Sequence, residues 1–173
     1  SYGKPAFEGI QLAIEEANAS GAGLPIKLVT YDGQSSDDTA KVMAHRVVAS
    51  PAWLMLGPVF STASLAAGPI YAEASLASLP PTATSDLITQ NATTFRVIFK
   101  NSDQGETLAT YLFRVLDQRR AAVFVVDSGY GHTLREGFER AARQLGIDAQ
   151  YYQFATDEQA EPFVQRIAAD PSR

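Results

Sequence analysis

An α/β fold, with parallel sheets flanked by helices, is predicted by three features of this 173-residue sequence. Short apolar strands alternate with amphipathic helices along the chain, an order typical of layered α/β proteins. Gly and Pro residues stand at the ends of these segments, where turns are expected. Hydrophobic residues make up 46% of the chain and charged residues 19%, as in ordinary globular proteins with a packed core.

The first half of the chain carries the elements of a first lobe. Apolar residues at helical spacing predict a helix from Phe7 to Ala17, which glycines and Pro25 end. Residues 26–31 alternate with period two and predict a strand, and Ser36 to Asp38 offer N-caps for a helix to about Ala49. A buried strand, a helix and a short strand follow at residues 53–56, 61–73 and 76–79.

The second half repeats the alternation after an irregular stretch from Phe99 to Asp103. Asp103 is the predicted N-cap of a helix, and residues 121–126 form the clearest buried strand. A helix with an apolar stripe from Leu134 to Leu145 ends at Gly146, and a strand and a helix follow at residues 151–154 and 163–168. The irregular stretch is therefore the candidate boundary between two lobes.

Charge and composition exclude several functions. The net charge is -5 with acids and bases interspersed, whereas a nucleic-acid surface needs a basic patch. The sequence has no cysteine, so it holds neither a disulfide nor a thiolate metal site. No apolar run approaches the roughly 20 residues of a membrane span. We expect no nucleic-acid partner and no direct insertion into a membrane.

The sequence motifs give little support for a catalytic function. The chain has no nucleophile elbow, zinc-protease or calcium-loop spacing, and neither His45 nor His132 has an evident base–nucleophile partner nearby in sequence. We predict that the protein is not an enzyme and needs no metal. A doubly wound nucleotide-binding enzyme remains one functional alternative, since Gly129 and Gly131 follow a predicted strand. Leu134 occupies the third glycine position of that fingerprint, so no cofactor is predicted.

Three loops are candidates for ligand binding, because open α/β sheets bind ligands beyond the carboxyl ends of their strands. The loop over residues 57–64 ends in Ser61 and Thr62 at a predicted helix N-terminus, a natural seat for a carboxylate. The loop over residues 80–86 presents Thr82 and Thr84, and the loop over residues 127–132 presents Tyr130 between two glycines. Ordinary helix caps, a polar turn and an incidental tyrosine are the alternatives.

A family resemblance runs along essentially the whole chain. It is carried by Phe7-Glu8-Gly9-Ile10-Gln11-Leu12-Ala13, Asn18-Ala19-Ser20-Gly21, Leu28-Val29-Thr30-Tyr31-Asp32-Gly33, Gly57 to Ser64, Pro81-Thr82-Ala83-Thr84, Ser102-Asp103-Gln104-Gly105 and Tyr130-Gly131. In these segments the sequence resembles the periplasmic leucine/isoleucine/valine-binding proteins, the type I solute receptors of branched-chain amino acid ABC transporters. The resemblance implies the two-lobed type I periplasmic-binding-protein fold, which closes on its ligand by hinge motion. It also implies a first lobe over residues 1–102 and part of a second lobe over residues 103–173.

The resemblance also implies roles for the candidate residues. Ser61, with Thr62 beside it, and the loop carrying Thr82 and Thr84 would bind the α-carboxylate and α-ammonium of an amino-acid-like ligand. Tyr130 would cover the ligand from the second lobe, and Tyr2 matches a further aromatic near the pocket. The expected partners are this small ligand and the membrane permease of an ABC importer, in a periplasmic or extracytoplasmic location after removal of a signal peptide.

Two departures from the family pattern accompany the resemblance. Some relatives have a disulfide where this chain has Ser35 and Phe60. The family chain is also about twice as long, so we expect this sequence to lack the first strand, the segment returning to the first lobe and the acidic partner of the ligand's ammonium. A ligand-sensing domain of the same fold in a regulatory or signalling protein is the second functional alternative.

Overall fold

A computed structural model describes residues 3–169 of the chain. Its helices are α1 (Gly3–Ser20), α2 (Asp37–Val48), α3 (Ser61–Glu73), α4 (Asn101–Arg114), α5 (Gly129–Leu145) and α6 (Asp157–Ala168). Its strands are β1 (Leu54–Met55), β2 (Ala77–Ser78), β3 (Arg120–Val126) and β4 (Asp148–Phe154), and a 3-10 helix spans Asp86–Gln90. No helix within residues 3–169 is both long enough and apolar enough to cross a bilayer.

The chain divides into two compact units. The first contains Ser1–Ala83 and Ile88–Ile98, and the second contains Thr84–Leu87 and Phe99–Arg173. The chain therefore passes from one unit to the other three times within the stretch from Ala83 to Phe99.

A small parallel sheet organises the first unit. β1 pairs with β2 in parallel, with Leu54 opposite Ala77 and Met55 opposite Ser78. Ser78 also forms a parallel bridge to Thr94, and their hydroxyl oxygens lie 3.0 Å apart in a buried hydrogen bond. Because these strands run in the same direction, the loops that follow β1 and β2 leave the sheet at the same edge.

The core of the first unit lies where α2 and α3 pack together. It is formed by the buried side chains of Ala44, Val47, Ala67, Tyr71 and Leu76. The Ser36 hydroxyl caps α2 by accepting a hydrogen bond from the Thr39 N–H, as the sequence predicts. Packing of α3 on α2 thus fixes the helix whose first turn carries Ser61 and Thr62.

Tyr71 makes the stability of the first unit sensitive to alkaline pH. Burial raises the pKa of the Tyr71 phenol to about 12 from its ordinary value of 10.0, since desolvation disfavours the phenolate. The neutral phenol therefore stabilises the fold fully below pH 10.0, and this contribution is lost as the pH rises to about 12. We expect a loss of about 2 kcal/mol in the free energy of unfolding over this interval.

Alkaline denaturation of the Tyr71→Phe variant supplies the control. Other tyrosines and the lysines titrate equally in both proteins, so the difference between the two curves isolates Tyr71. The variant should lose less stability than the original protein across the interval. Parallel curves for the two proteins would contradict the burial of this phenol.

The second unit is built on the longer parallel pair. β3 pairs with β4 along seven residues, from Arg120 opposite Asp148 to Val126 opposite Phe154. A buried cluster of Ala109, Phe138, Ala141, Ala142 and Ile147 forms the core on one face. Gly146 adopts a left-handed conformation with φ 71° and ends α5, as predicted.

Glycines let α4 and α5 approach each other backbone to backbone. A Cβ atom on Gly137 would lie 2.3 Å from the Ser102 carbonyl oxygen, and one on Gly105 would lie 2.3 Å from the Leu134 carbonyl oxygen. Both distances are shorter than any van der Waals contact, so only glycine fits at these positions. The N-terminal turn of α4 is thereby held against the first half of α5.

Three local predictions are wrong. Residues 26–31 are not in a strand, because no described segment offers them a ladder of hydrogen bonds. Instead, the Asn18 side chain bonds both the N–H and the carbonyl of Ile26, at 2.7 and 2.9 Å. The predicted buried strand at residues 53–56 shortens to β1, with Trp53 77% exposed. The N-cap of α4 is Lys100, not Asp103.

Candidate functional site

The loops after β1 and β2 are joined at the carboxyl edge of the first unit's sheet. The Thr82 hydroxyl donates a hydrogen bond of 2.6 Å to the Val59 carbonyl. Leu79 donates its N–H to the Met55 carbonyl at 2.8 Å, and Gly57 donates to the Leu79 carbonyl at 3.1 Å. The structure therefore brings two of the three predicted loops together.

Ser61 and Thr62 form the start of α3. The N-cap residue is Phe60, whose extended backbone begins the helix and whose side chain makes no capping hydrogen bond. An ordinary Ser or Thr cap, the alternative interpretation, is therefore wrong for this helix. Ser61 is 6% exposed, and the first turn contains no acidic residue. The positive end of the helix dipole lies beside two hydroxyls with no carboxylate of its own to neutralise it.

The turn into α3 is braced from within the same loop. The Ser64 hydroxyl donates to the Pro58 carbonyl at 3.2 Å, and the Ser64 N–H donates to the Phe60 carbonyl at 2.9 Å. These bonds close the loop between the cis Gly57–Pro58 peptide and the helix. Donor groups on such a fixed helix start can bind an anion without a reorganisation cost.

Thr84 belongs to the second unit, whereas Thr82 belongs to the first. Thr84 is buried, and its carbonyl accepts a 2.8 Å hydrogen bond from the Asn101 N–H. The next turn is fastened as well, because Asp86 accepts from the Ser102 N–H at 3.0 Å and from the Ser102 hydroxyl at 2.5 Å. The two threonines of this loop thus belong to different units.

Tyr130 lies in the first turn of α5 and is 39% exposed. Ser128 caps this helix by accepting from the Gly131 N–H at 3.1 Å. A Cβ atom on Gly131 would lie 2.0 Å from the Val126 carbonyl oxygen, so the glycine serves a close approach of the helix to the end of β3. Tyr130 is therefore presented by a capped helical turn.

Asn101 is the feature of this region that sequence reasoning missed. Its side chain is 0% exposed and donates to the Tyr130 carbonyl and to the Thr133 hydroxyl, at 2.9 and 2.8 Å. The only signal in the sequence was its place in the irregular stretch before Asp103. Tyr2, the remaining predicted site residue, lies outside the described residues.

A polar cluster lies next to Tyr130 at the ends of β3 and β4. The Asp127 carboxylate accepts from the Gln153 amide at 2.8 Å and lies 2.9 Å from the His132 Nε2. Asp127 and His132 are about half exposed. Within residues 3–169, no group of three or more His, Cys, Asp or Glu side chains is arranged to hold a metal ion.

Comparison with known proteins identifies the family. The family model described as "Periplasmic binding protein" matches residues 1–171 of this chain. The chain belongs to the periplasmic binding protein family. This membership supports the predicted periplasmic or extracytoplasmic location.

Individual relatives agree with the family match. The chain is 26% identical over 157 residues to the Leu/Ile/Val/Thr-binding protein of Salmonella typhimurium, covering 87% of this chain and 42% of the relative. A leucine binding protein of Thermotoga maritima superposes with a TM-score of 0.86 at 27% identity, over 94% of this chain and 47% of that one. A branched-chain amino acid transporter substrate binding protein of Streptococcus pneumoniae, in complex with isoleucine, gives 0.84 at 25% identity, over 98% and 50%.

These matches confirm the type I periplasmic-binding-protein fold and the family predicted from the sequence. This chain spans about half the length of the relatives it matches. Its relatives are substrate-binding proteins and not enzymes. The matched length covers both units of the chain, so the three candidate loops all lie within the shared fold.

Proposed function

We propose that this chain is the ligand-capturing part of an extracytoplasmic receptor that binds an amino-acid-like ligand and delivers it to the membrane permease of an ABC importer. The protein makes and breaks no covalent bond, so its work is binding and release. Capture by hinge closure around the ligand is part of this proposal, since two-lobed binding proteins close on their ligands in this way. The names of the relatives, which include leucine and Leu/Ile/Val/Thr binding, favour an aliphatic amino acid.

One observation carries the proposal. The first turn of α3 presents Ser61 and Thr62 with neither a side-chain cap nor an acidic residue, and the loop of Thr82 is hydrogen-bonded beside it. A carboxylate is the natural complement, because it accepts hydrogen bonds from N–H and hydroxyl donors and is stabilised by the helix dipole. We assign the α-carboxylate of the ligand to this turn.

The second unit contributes Thr84 and Tyr130 under the same proposal. The buried Thr84 supplies a polar group and the half-exposed Tyr130 an aromatic surface. An aromatic ring adds contact area at a low entropy cost, since only two side-chain torsions become fixed. The proposed role of Tyr130 is contact through its ring and not proton transfer.

Titration calorimetry on the whole protein tests the proposal. Aliphatic amino acids should bind saturably at one site, while ATP and NAD should give no heat. Binding of a nucleotide without binding of any amino acid would contradict the proposal and favour the nucleotide-binding alternative.

Substitution of Tyr130 separates ring contact from hydroxyl chemistry. Tyr130→Phe keeps the ring and should retain affinity within about threefold, whereas Tyr130→Ala should lose about 10- to 150-fold, as expected for a large apolar side chain that is buried on binding. Calorimetric titration with the best amino acid measures both. Equal losses in Phe and Ala variants would show that the hydroxyl is what matters and would contradict this role.

A further inference from the structure

We propose that Asn101 is a positioning residue of the ligand site, an inference that rests on the proposed function. Its side chain and its backbone bond the two residues that the second unit contributes. The Asn101 side-chain amide donates to the Tyr130 carbonyl at 2.9 Å, and the Asn101 N–H donates to the Thr84 carbonyl at 2.8 Å. One residue thereby fixes the backbone of both.

The first turn of α4 places Asn101 where both bonds can form. Asn101 is the first residue of the helix, so its N–H has no partner within α4 and is available to Thr84. Its primary amide carries two N–H hydrogens. The second one bonds the Thr133 hydroxyl at 2.8 Å. The side chain therefore reaches α5 with both donors engaged.

Thr133 completes the attachment of Tyr130 from within α5. Its hydroxyl lies 3.0 Å from the Gly129 carbonyl and 3.2 Å from the Tyr130 carbonyl, and its side chain is 3% exposed. Asn101 and Thr133 thus bind the turn that carries Tyr130 through two successive carbonyls. The backbone that carries the Tyr130 ring is therefore fixed, and the ring cannot be displaced by movement of this turn.

The surrounding packing makes this attachment rigid. Gly105 and Gly137 hold the backbones of α4 and α5 at contact distance, so the two helices cannot slide without steric overlap. Ser102, next to Asn101, holds Asp86 through its N–H and hydroxyl. The segment from Thr84 to Asp86 is therefore fastened to the start of α4 at two adjacent residues.

The side-chain oxygen of Asn101 shows which half of the amide matters, the oxygen or the two N–H donors. Among residues 3–169, the buried Asn101 Oδ1 has no hydrogen-bond partner. A buried polar atom without a partner is unfavourable, so this oxygen adds nothing favourable to the fold. The amide is therefore best explained by its two donors, which bond Tyr130 and Thr133.

A double-mutant cycle on the whole protein tests the inference. Asn101→Asp has nearly the same shape but loses both N–H donors and places an acceptor against the Tyr130 carbonyl. We expect at least a tenfold loss of amino-acid affinity when Tyr130 is present and less than a threefold loss in the Tyr130→Ala background, because Asn101 acts through that residue. An equal loss in both backgrounds would indicate a merely structural role and overturn the inference.

Thr133→Val is the second variant, in case Asn101→Asp does not fold. It removes the hydroxyl bonded by Asn101 while preserving volume, and its loss of affinity should likewise depend on Tyr130. Thr107→Val is the matched control, since the Thr107 hydroxyl makes the same local bond to a carbonyl four residues earlier, 2.8 Å from that of Asp103. We expect Thr107→Val to change affinity less than twofold in either background. A loss equal to that of Thr133→Val would contradict the inference.

A readout without ligand separates this inference from the proposed function. The ring signals of Tyr130, labelled with ¹³C-tyrosine and assigned with Tyr130→Phe, should shift or broaden in Asn101→Asp and remain unchanged in Thr107→Val. If the original protein binds no amino acid, the proposed function fails, while the ring signals still decide whether Asn101 fixes Tyr130. If the protein binds an amino acid and the ring signals of Asn101→Asp are unchanged, the positioning role fails alone.

Discussion

Replacing Gly137 by alanine is expected to lower the free energy of unfolding of the second unit by about 3 kcal/mol, near the upper end for an overpacked site. The new Cβ would lie 2.3 Å from the Ser102 carbonyl oxygen and 2.6 Å from the Ser102 Cα. Both atoms are backbone, so no flexible side chain can move aside. Relief requires α4 and α5 to separate, which would expose the Phe138 and Ala109 contacts of the core.

Hydrogen exchange measures this effect where it occurs. Amides of α5 should exchange faster in Gly137→Ala by a factor that corresponds to the lost stability, and urea denaturation should shift in the same sense. Gly9→Ala is the matched control, because nothing lies within 4 Å of a Cβ at this position of α1. Alanine is the better helix former, so Gly9→Ala should leave stability unchanged or raise it by up to about 1 kcal/mol. Similar stabilities for the two variants would contradict the close packing of α4 on α5.

The predictions from the sequence are correct where a feature depends on residues that are close together in the chain. The Ser36 cap, the end of α5 at Gly146 and the bounds of α3 all depend on residues within one helical turn, and the sequence predicts them correctly. The fold class also follows from local patterns, because alternating strands and helices leave few ways to bury their apolar faces.

The errors concern pairings between distant residues. Residues 26–31 have the alternation of a strand, but a strand needs a neighbour, and the described chain supplies none. Trp53 belongs to an apolar run, yet its exposure depends on which segments cover it. The role of Asn101 rests on contacts 29 and 32 residues away, which no local pattern encodes.

In the candidate site, too, the local features could be predicted from the sequence and the features set by packing could not. A helix start after a strand is visible in the sequence, so Ser61 and Thr62 could be selected, and the fold puts them next to the loop of Thr82. The sequence alone left open whether Ser61 or Thr62 caps the helix, and the extended backbone that places the N-cap at Phe60 decides it. Likewise, the assignment of Thr82 and Thr84 to different units follows from how the chain packs and not from their spacing.

Replacing Ser61 by alanine is expected to weaken amino-acid binding by about 1.5–3 kcal/mol, the typical worth of a hydrogen bond to a charged group, or about 10- to 150-fold in Kd. The hydroxyl lies at the positive end of α3, where the proposal places the ligand carboxylate. Thr84→Ala should weaken binding in the same direction. Ser50→Ala is the control, since the Ser50 hydroxyl bonds the Val47 carbonyl at 2.6 Å at the far end of α2, and its removal should change affinity less than twofold.

The most direct test of the carboxylate assignment compares leucine with leucinamide on the original protein and on Ser61→Ala by titration calorimetry. If Ser61 binds the carboxylate, the serine hydroxyl and the ligand charge are energetically coupled. The account predicts that leucinamide binds much more weakly than leucine to the original protein and that this difference shrinks by about 1 kcal/mol or more in Ser61→Ala. Equal affinity of the original protein for leucine and leucinamide, or an unchanged difference in the variant, would contradict a carboxylate site at the start of α3.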